Sequence, residues 1–109
     1  MRKRKAQAFL RYYGGKQRIA KRIVEDLPPH AVYVEPFVGG GAILYTKGLP
    51  TVRRTSDYRE VINDHDERLV TLYRVAQRRL DELREMLRYT PYSRAEYRRA
   101  RDVCECVSV

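Results

Sequence analysis

Apolar residues recur along the chain with two different periods, and the change of period marks its elements. Ile19, Ala20, Ile23, Val24 and Leu27 fall at helical spacing, with Lys and Arg on the other face, which predicts a helix over 16–27. Pro28 and Pro29 stop it, since proline offers no amide donor and restricts the residue before it. Residues 31–38, Ala-Val-Tyr-Val-Glu-Pro-Phe-Val, are rich in β-branched and aromatic side chains and predict a strand. Gly39, Gly40 and Gly41 follow, and residues 42–47 read as a short helix with stop signals at Gly48 and Pro50. A second strand is predicted over 60–64. Leu69, Tyr73, Ala76, Leu80, Leu83 and Leu87 then form one apolar stripe on a long helix from about 66 to 88, expected to pack on a sheet. Thr90-Pro91-Tyr92 breaks that pattern. Ser93 with Glu96 three residues on is a capping box, so a last helix is predicted from near Arg94.

Helix, strand, glycine loop, helix, strand, helix is the opening order of an α/β fold, a doubly wound parallel sheet with flanking helices. Two parallel strands alone would leave unpaired edges and uncovered faces. The pattern therefore predicts a single partial domain completed by further chain or by a second chain. Its parts are a basic arm and Gly-Gly-Lys turn over 1–15, βα units over 16–88, and the start of a helical insertion or tail over 89–109.

The chain of 109 residues is 43% hydrophobic and 34% charged, a globular balance that excludes a low-complexity linker. No apolar run approaches the roughly 20 residues that span a bilayer. The basic opening, Met1 to Lys5, is not followed by an apolar segment, which argues against a secretory signal. Cys104 and Cys106 cannot make a disulfide scaffold. A reducing, cytoplasmic compartment is expected. The net charge of +9 has a location: residues 1–22 carry nine Lys or Arg and no acid, while bases and acids balance over 23–109. A basic arm beside a neutral body predicts contact with a polyanion, most often nucleic acid. Arg2, Lys3, Arg4, Lys5 and Arg11 are the candidate DNA contacts; a merely solvated terminus is the alternative.

Glycines directly after a strand let backbone approach a ligand, and the helix after them would aim its free amides there. The loop at 39–41 lacks the Gly-Lys-Ser/Thr ending of a phosphate-cradling loop, and Leu44 stands where a dinucleotide fingerprint has its third glycine. A tight turn with no ligand is the alternative. Asp64 lies 23 residues after Gly41, close to the spacing at which an acid takes the ribose hydroxyls of a nucleoside. A turn or capping role, with Asp66 and Glu67 beside it, is the competing reading. Asp64-His65-Asp66 and Cys104-Glu105-Cys106 supply too few convergent ligands for a metal, so none is expected. Tyr12-Tyr13-Gly14-Gly15-Lys16 offers a second close-approach turn with a cation and a ring, suited to an anion or to stacking. Tyr33 and Tyr73 sit on apolar faces and are expected in the core.

Taken together, Tyr-Gly-Gly-Lys at 13–16, Val-Glu-Pro-Phe-Val-Gly-Gly-Gly-Ala at 34–42 and Ile-Asn-Asp at 62–64 resemble, in residue and order, the start of the Dam-type DNA adenine methyltransferases. Leu69-Val70-Thr71-Leu72-Tyr73 at the head of the long helix strengthens the likeness, which runs from about residue 8 to 80. The resemblance implies a Rossmann-like methyltransferase sheet. It also implies methyl transfer from S-adenosylmethionine to the exocyclic amine of adenine in DNA, by direct displacement and without a metal. It places Tyr12, Gly15 and Lys16 beside the cofactor, makes Glu35, Phe37, Gly39 and Gly41 its wall and floor, and gives Asp64 the ribose. One departure matters: the family's catalytic Asp-Pro-Pro-Tyr, which holds and stacks the flipped base, does not occur. Leu27-Pro28-Pro29-His30 is no disguised copy, so no catalytic residue is assigned. The expectation is a cofactor-binding portion, inactive alone. The alternatives are a non-enzymatic basic nucleic-acid-binding module and one half of a split methyltransferase.

Overall fold

In the computed structural model, which describes residues 8–48 and 58–106, contacts divide the chain into two units, Met1–Val70 and Thr71–Val109. The basic residues Arg2, Lys3, Arg4 and Lys5 lie outside the described residues.

In the first unit, the predicted helix over 16–27 is two pieces: a 3-10 turn at Lys16–Arg18 and helix α1 at Ala20–Glu25. The turn is closed by the Ile19 amide, which donates to the Lys16 carbonyl at 3.1 Å. Strand β1 spans Val32–Glu35, shorter than its apolar run, because Pro36 has no amide to continue the ladder. Helix α2, Ala42–Lys47, has the predicted bounds, and strand β2 spans Arg59–Ile62. The strands are parallel, with Tyr33 opposite Glu60 and Glu35 opposite Ile62. Asn63 has left the strand but still donates to the Glu35 carbonyl and accepts from the Val38 amide, at 2.9 Å each.

Alternation along β1 buries Tyr33 and Glu35 and exposes Val32 and Val34. Tyr33 meets Ala20, Ala42 and Ile43 in the core, and Ile23, Val24, Leu27 and Leu44 pack around them. Tyr33 thus joins the core as its apolar setting predicts. Val32, Val34 and Val61 leave the other face of this small sheet about half exposed. The architecture is mixed helix and strand around two parallel strands, compatible with the N-terminal portion of a methyltransferase domain.

The predicted helix over 66–88 is interrupted. Helix α3 runs Glu67–Arg78 and α4 runs Leu80–Tyr89. Arg79 between them leaves helical geometry at φ −136° and ψ 43°. No Gly or Pro announces this break. The Arg79 amide closes α3 on the Val75 carbonyl, and the Arg79 carbonyl opens α4 by accepting from the Leu83 amide. The stripe is also less buried than predicted. Leu69 is buried, but Leu80 and Leu87 are exposed. Helix α5 spans Arg94–Cys106, and the Ser93 hydroxyl accepts from the Glu96 amide at 3.1 Å, as the capping pattern predicts. The Glu96 side chain does not complete the box with Ser93; it pairs with Arg99.

Among the described residues no helix is long and apolar enough to cross a membrane, and no group of three or more His, Cys, Asp or Glu side chains is arranged to hold a metal.

Candidate cofactor site

A cavity of about 530 Å³ opens in the first unit, at the carboxyl ends of β1 and β2. Two loops and the segment before α1 make it. The segment crosses the glycine loop closely. The Phe9 amide donates to the Gly40 carbonyl at 2.8 Å, and a Cβ on Gly40 would lie 2.2 Å from the Leu10 carbonyl oxygen. Only glycine allows that approach.

Of the residues expected at a cofactor, Tyr12, Gly15, Lys16, Glu35, Phe37, Gly39 and Asp64 all line this cavity. Gly41 does not: at φ 75° it is the left-handed residue that starts α2, so its role is in the turn. Arg11, expected at DNA, lines the same cavity. Two amides of the glycine loop are used within the protein. Gly39 donates to Asp64 Oδ2 at 2.8 Å and Gly41 to the Val38 carbonyl at 2.9 Å, and α2 has only six residues.

Charge in the cavity is held in place from several directions. Asp64 also accepts from the Asp66 amide at 3.0 Å through Oδ1. These backbone donors, Asp66 first and Gly39 next, hold the Asp64 carboxyl below its ordinary value. Asp64 is therefore a carboxylate fixed by backbone amides. The competing turn role is real as well: the Asp66 contact is such a turn. Glu35, 5% exposed, accepts from Lys16 Nζ at 3.3 Å on Oε1 and from the Tyr33 hydroxyl at 2.9 Å on Oε2. Lys16 also donates to the Phe37 carbonyl at 2.6 Å. Tyr12 donates to Asp66 Oδ2 at 3.2 Å. Asp66 is gripped by the Arg68 guanidinium, which lowers its carboxyl to about 2.

Sequence reasoning missed three contributors. Tyr33 was assigned to the core, and its hydroxyl's use was not foreseen; its spacing of two from Glu35 on a strand, which puts both on one face, is the signal. Asp66 and Gly40 owe their roles to Tyr12 and Leu10, and no local pattern shows either contact. In the second unit a separate groove of about 540 Å³ is lined by Tyr92, Ser93, Arg94, Tyr97, Arg98 and Arg101. Its arginines recur at four and three residues along α5 and so share one face.

The family described as D12 class N6 adenine-specific DNA methyltransferase matches residues 12–103. Among similar proteins are a type II methyltransferase, M.MjaIII, of Methanocaldococcus jannaschii, 35% identical over 72% of this chain and 28% of that protein. The DNA adenine methylases of Escherichia coli K12 and Salmonella typhi are each 33% identical over 72% of this chain and 26% of theirs. No solved structure matches the chain significantly. The chain spans about a quarter of the length of these curated relatives. The match takes in the cavity residues from Tyr12 to Asp64: the chain belongs to the D12 class N6 adenine-specific DNA methyltransferases.

Proposed function

We propose that this chain provides the S-adenosylmethionine site of a DNA adenine methyltransferase. The observation that carries this is the convergence of Tyr12, Lys16, Glu35, Phe37 and Asp64 on one cavity. The donor set fits the cofactor. A volume of about 530 Å³ is in the range of small-molecule sites. Asp64 offers a fixed carboxylate to the ribose hydroxyls. Lys16 and Glu35 offer both signs of charge to a zwitterionic amino-acid end, and the exposed rings of Tyr12 and Phe37 offer apolar surface to a base. The cofactor supplies an electrophilic methyl group on its sulfonium; the acceptor in this reading is the exocyclic amine of adenine in DNA. The 109 residues contain no Asp-Pro-Pro-Tyr, so they bind the cofactor and do not transfer its methyl group unaided. A second chain or further residues carrying the rest of a doubly wound sheet would complete the enzyme.

Calorimetric titration of S-adenosylmethionine into the purified chain tests this. One-site binding is expected, abolished by Asp64→Ala with circular dichroism unchanged. A folded chain that binds nothing sinks the reading.

The second reading, nucleic-acid contact without catalysis, is favoured by the α5 groove, where Arg94, Arg98 and Arg101 stand beside exposed Tyr92 and Tyr97. DNA affinity that falls steeply with salt, and is reduced by removing the α5 arginines while surviving Asp64→Ala, supports it. Both properties belong together in a methyltransferase, and only cofactor binding separates that reading from a simple basic module.

A further inference from the structure

The cavity wall made by Lys16, Glu35 and Phe37 is held from behind. A buried carboxylate needs partners on both oxygens. Lys16 supplies one to Glu35 from the cavity side. Tyr33 supplies the other and is not a lining residue. Its ring is itself fixed. Lys47, whose side chain is 8% exposed, sits with Nζ 4.7 Å from the ring centroid, and the His30 ring lies 5.8 Å away. Lys47 is anchored in turn by Glu60 at 2.6 Å, the residue opposite Tyr33 across the sheet, and by the Tyr58 hydroxyl. The chain of contacts thus runs from Lys47 through the Tyr33 ring to its hydroxyl, then through Glu35 to Lys16. An ammonium has three donors. Glu35 and the Phe37 carbonyl take two from Lys16, which leaves one for a ligand.

We propose that Tyr33 is a positioning residue for S-adenosylmethionine. Its hydroxyl sets the orientation of Glu35 that keeps the Lys16 ammonium on the cavity wall, and Lys47 clamps the ring that carries that hydroxyl. The inference rests on the cofactor reading above. It adds a residue outside the cavity that governs how well the cavity works.

Tyr33→Phe removes the hydroxyl and keeps the ring under Lys47. Losing one hydrogen bond to a charged group is expected to weaken S-adenosylmethionine binding about tenfold. In a Lys16→Met background the same substitution is expected to cost nothing further, because its effect passes through Lys16. In the cofactor-free chain, Tyr33→Phe is expected to shift and broaden the ¹⁵N ammonium signal of Lys16. Wild-type affinity in Tyr33→Phe, or an equal loss in both backgrounds, overturns the proposal; the second result assigns Tyr33 to the fold alone. If the wild-type chain binds no cofactor, the proposed function falls, and the Lys16 signal alone decides the positioning role. A signal unmoved by Tyr33→Phe ends it. Should Tyr33→Phe fail to fold, Lys47→Met takes its place, with a loss of about threefold expected from releasing the ring.

Discussion

The two units hold their charges differently. In the first, beside local pairs such as Lys21–Glu25 and Asp66–Arg68, the partners at the cavity are far apart in sequence: Lys16 and Glu35 by 19 residues, Gly39 and Asp64 by 25, Tyr12 and Asp66 by 54. Several are buried. In the second, pairs such as Arg79–Glu82, Arg84–Asp81 and Arg99–Glu96 stand three residues apart on single helices, with most of the partners exposed. A pair one helical turn apart forms wherever its helix forms. A pair across 54 residues forms only when the fold brings it together. The first kind decorates a surface, and the second kind fixes a cavity.

The contrast predicts a graded response to substitution. The largest effect is expected at Gly40. An alanine there must displace the Leu10 backbone, at a cost of about 2–3 kcal/mol, and should lower the unfolding midpoint together with cofactor affinity. Lys47→Met comes next. Partial burial alone would pull the Lys47 ammonium down, but Glu60 and Tyr58 outweigh it and raise it. The substitution leaves Glu60, partly exposed, without its cation. A loss of about 1–2 kcal/mol in denaturant unfolding is expected, below the range for fully buried pairs.

A smaller effect is expected from acid. Asp66 is lowered from an ordinary 3.8 to about 2 by its contacts, chiefly the Arg68 guanidinium. Its contribution is therefore complete above about pH 4 and is lost as pH falls towards 2. Asp66→Asn should flatten the acid-unfolding curve in that window. The smallest effect belongs to the second unit, where Glu82→Gln should leave the denaturant unfolding midpoint unchanged within error, since exposed pairs contribute little. A loss there as large as that at Lys47 would erase the contrast between the units.

What could be read from the sequence divides along the same line. Periodicity and turn residues located α2 to the residue and located β1, β2 and the Ser93 cap closely, because those signals are local. The resemblance singled out seven of the residues that line the cavity. The Arg79 break was invisible because no Gly or Pro marks it. The acceptors of the Gly39 and Gly41 amides, Asp64 and Val38, were not legible because the closed loop sets them. Tyr33 was read as core from its apolar neighbours, and it is core; an apolar pattern cannot report that a buried ring ends in a hydroxyl already committed to a carboxylate.

The strap from Phe9 to Gly15 has a practical consequence for anyone shortening this protein. The family match begins at Tyr12, and a minimal chain cut at that boundary would keep every matched residue. It would also delete the Phe9 amide that closes on Gly40, and Leu10, which forms part of the cavity's lining. Such a chain would keep the residues that resemble other methyltransferases and lose the rim that gives them a shared enclosure. The functional boundary of this module lies upstream of its recognisable one.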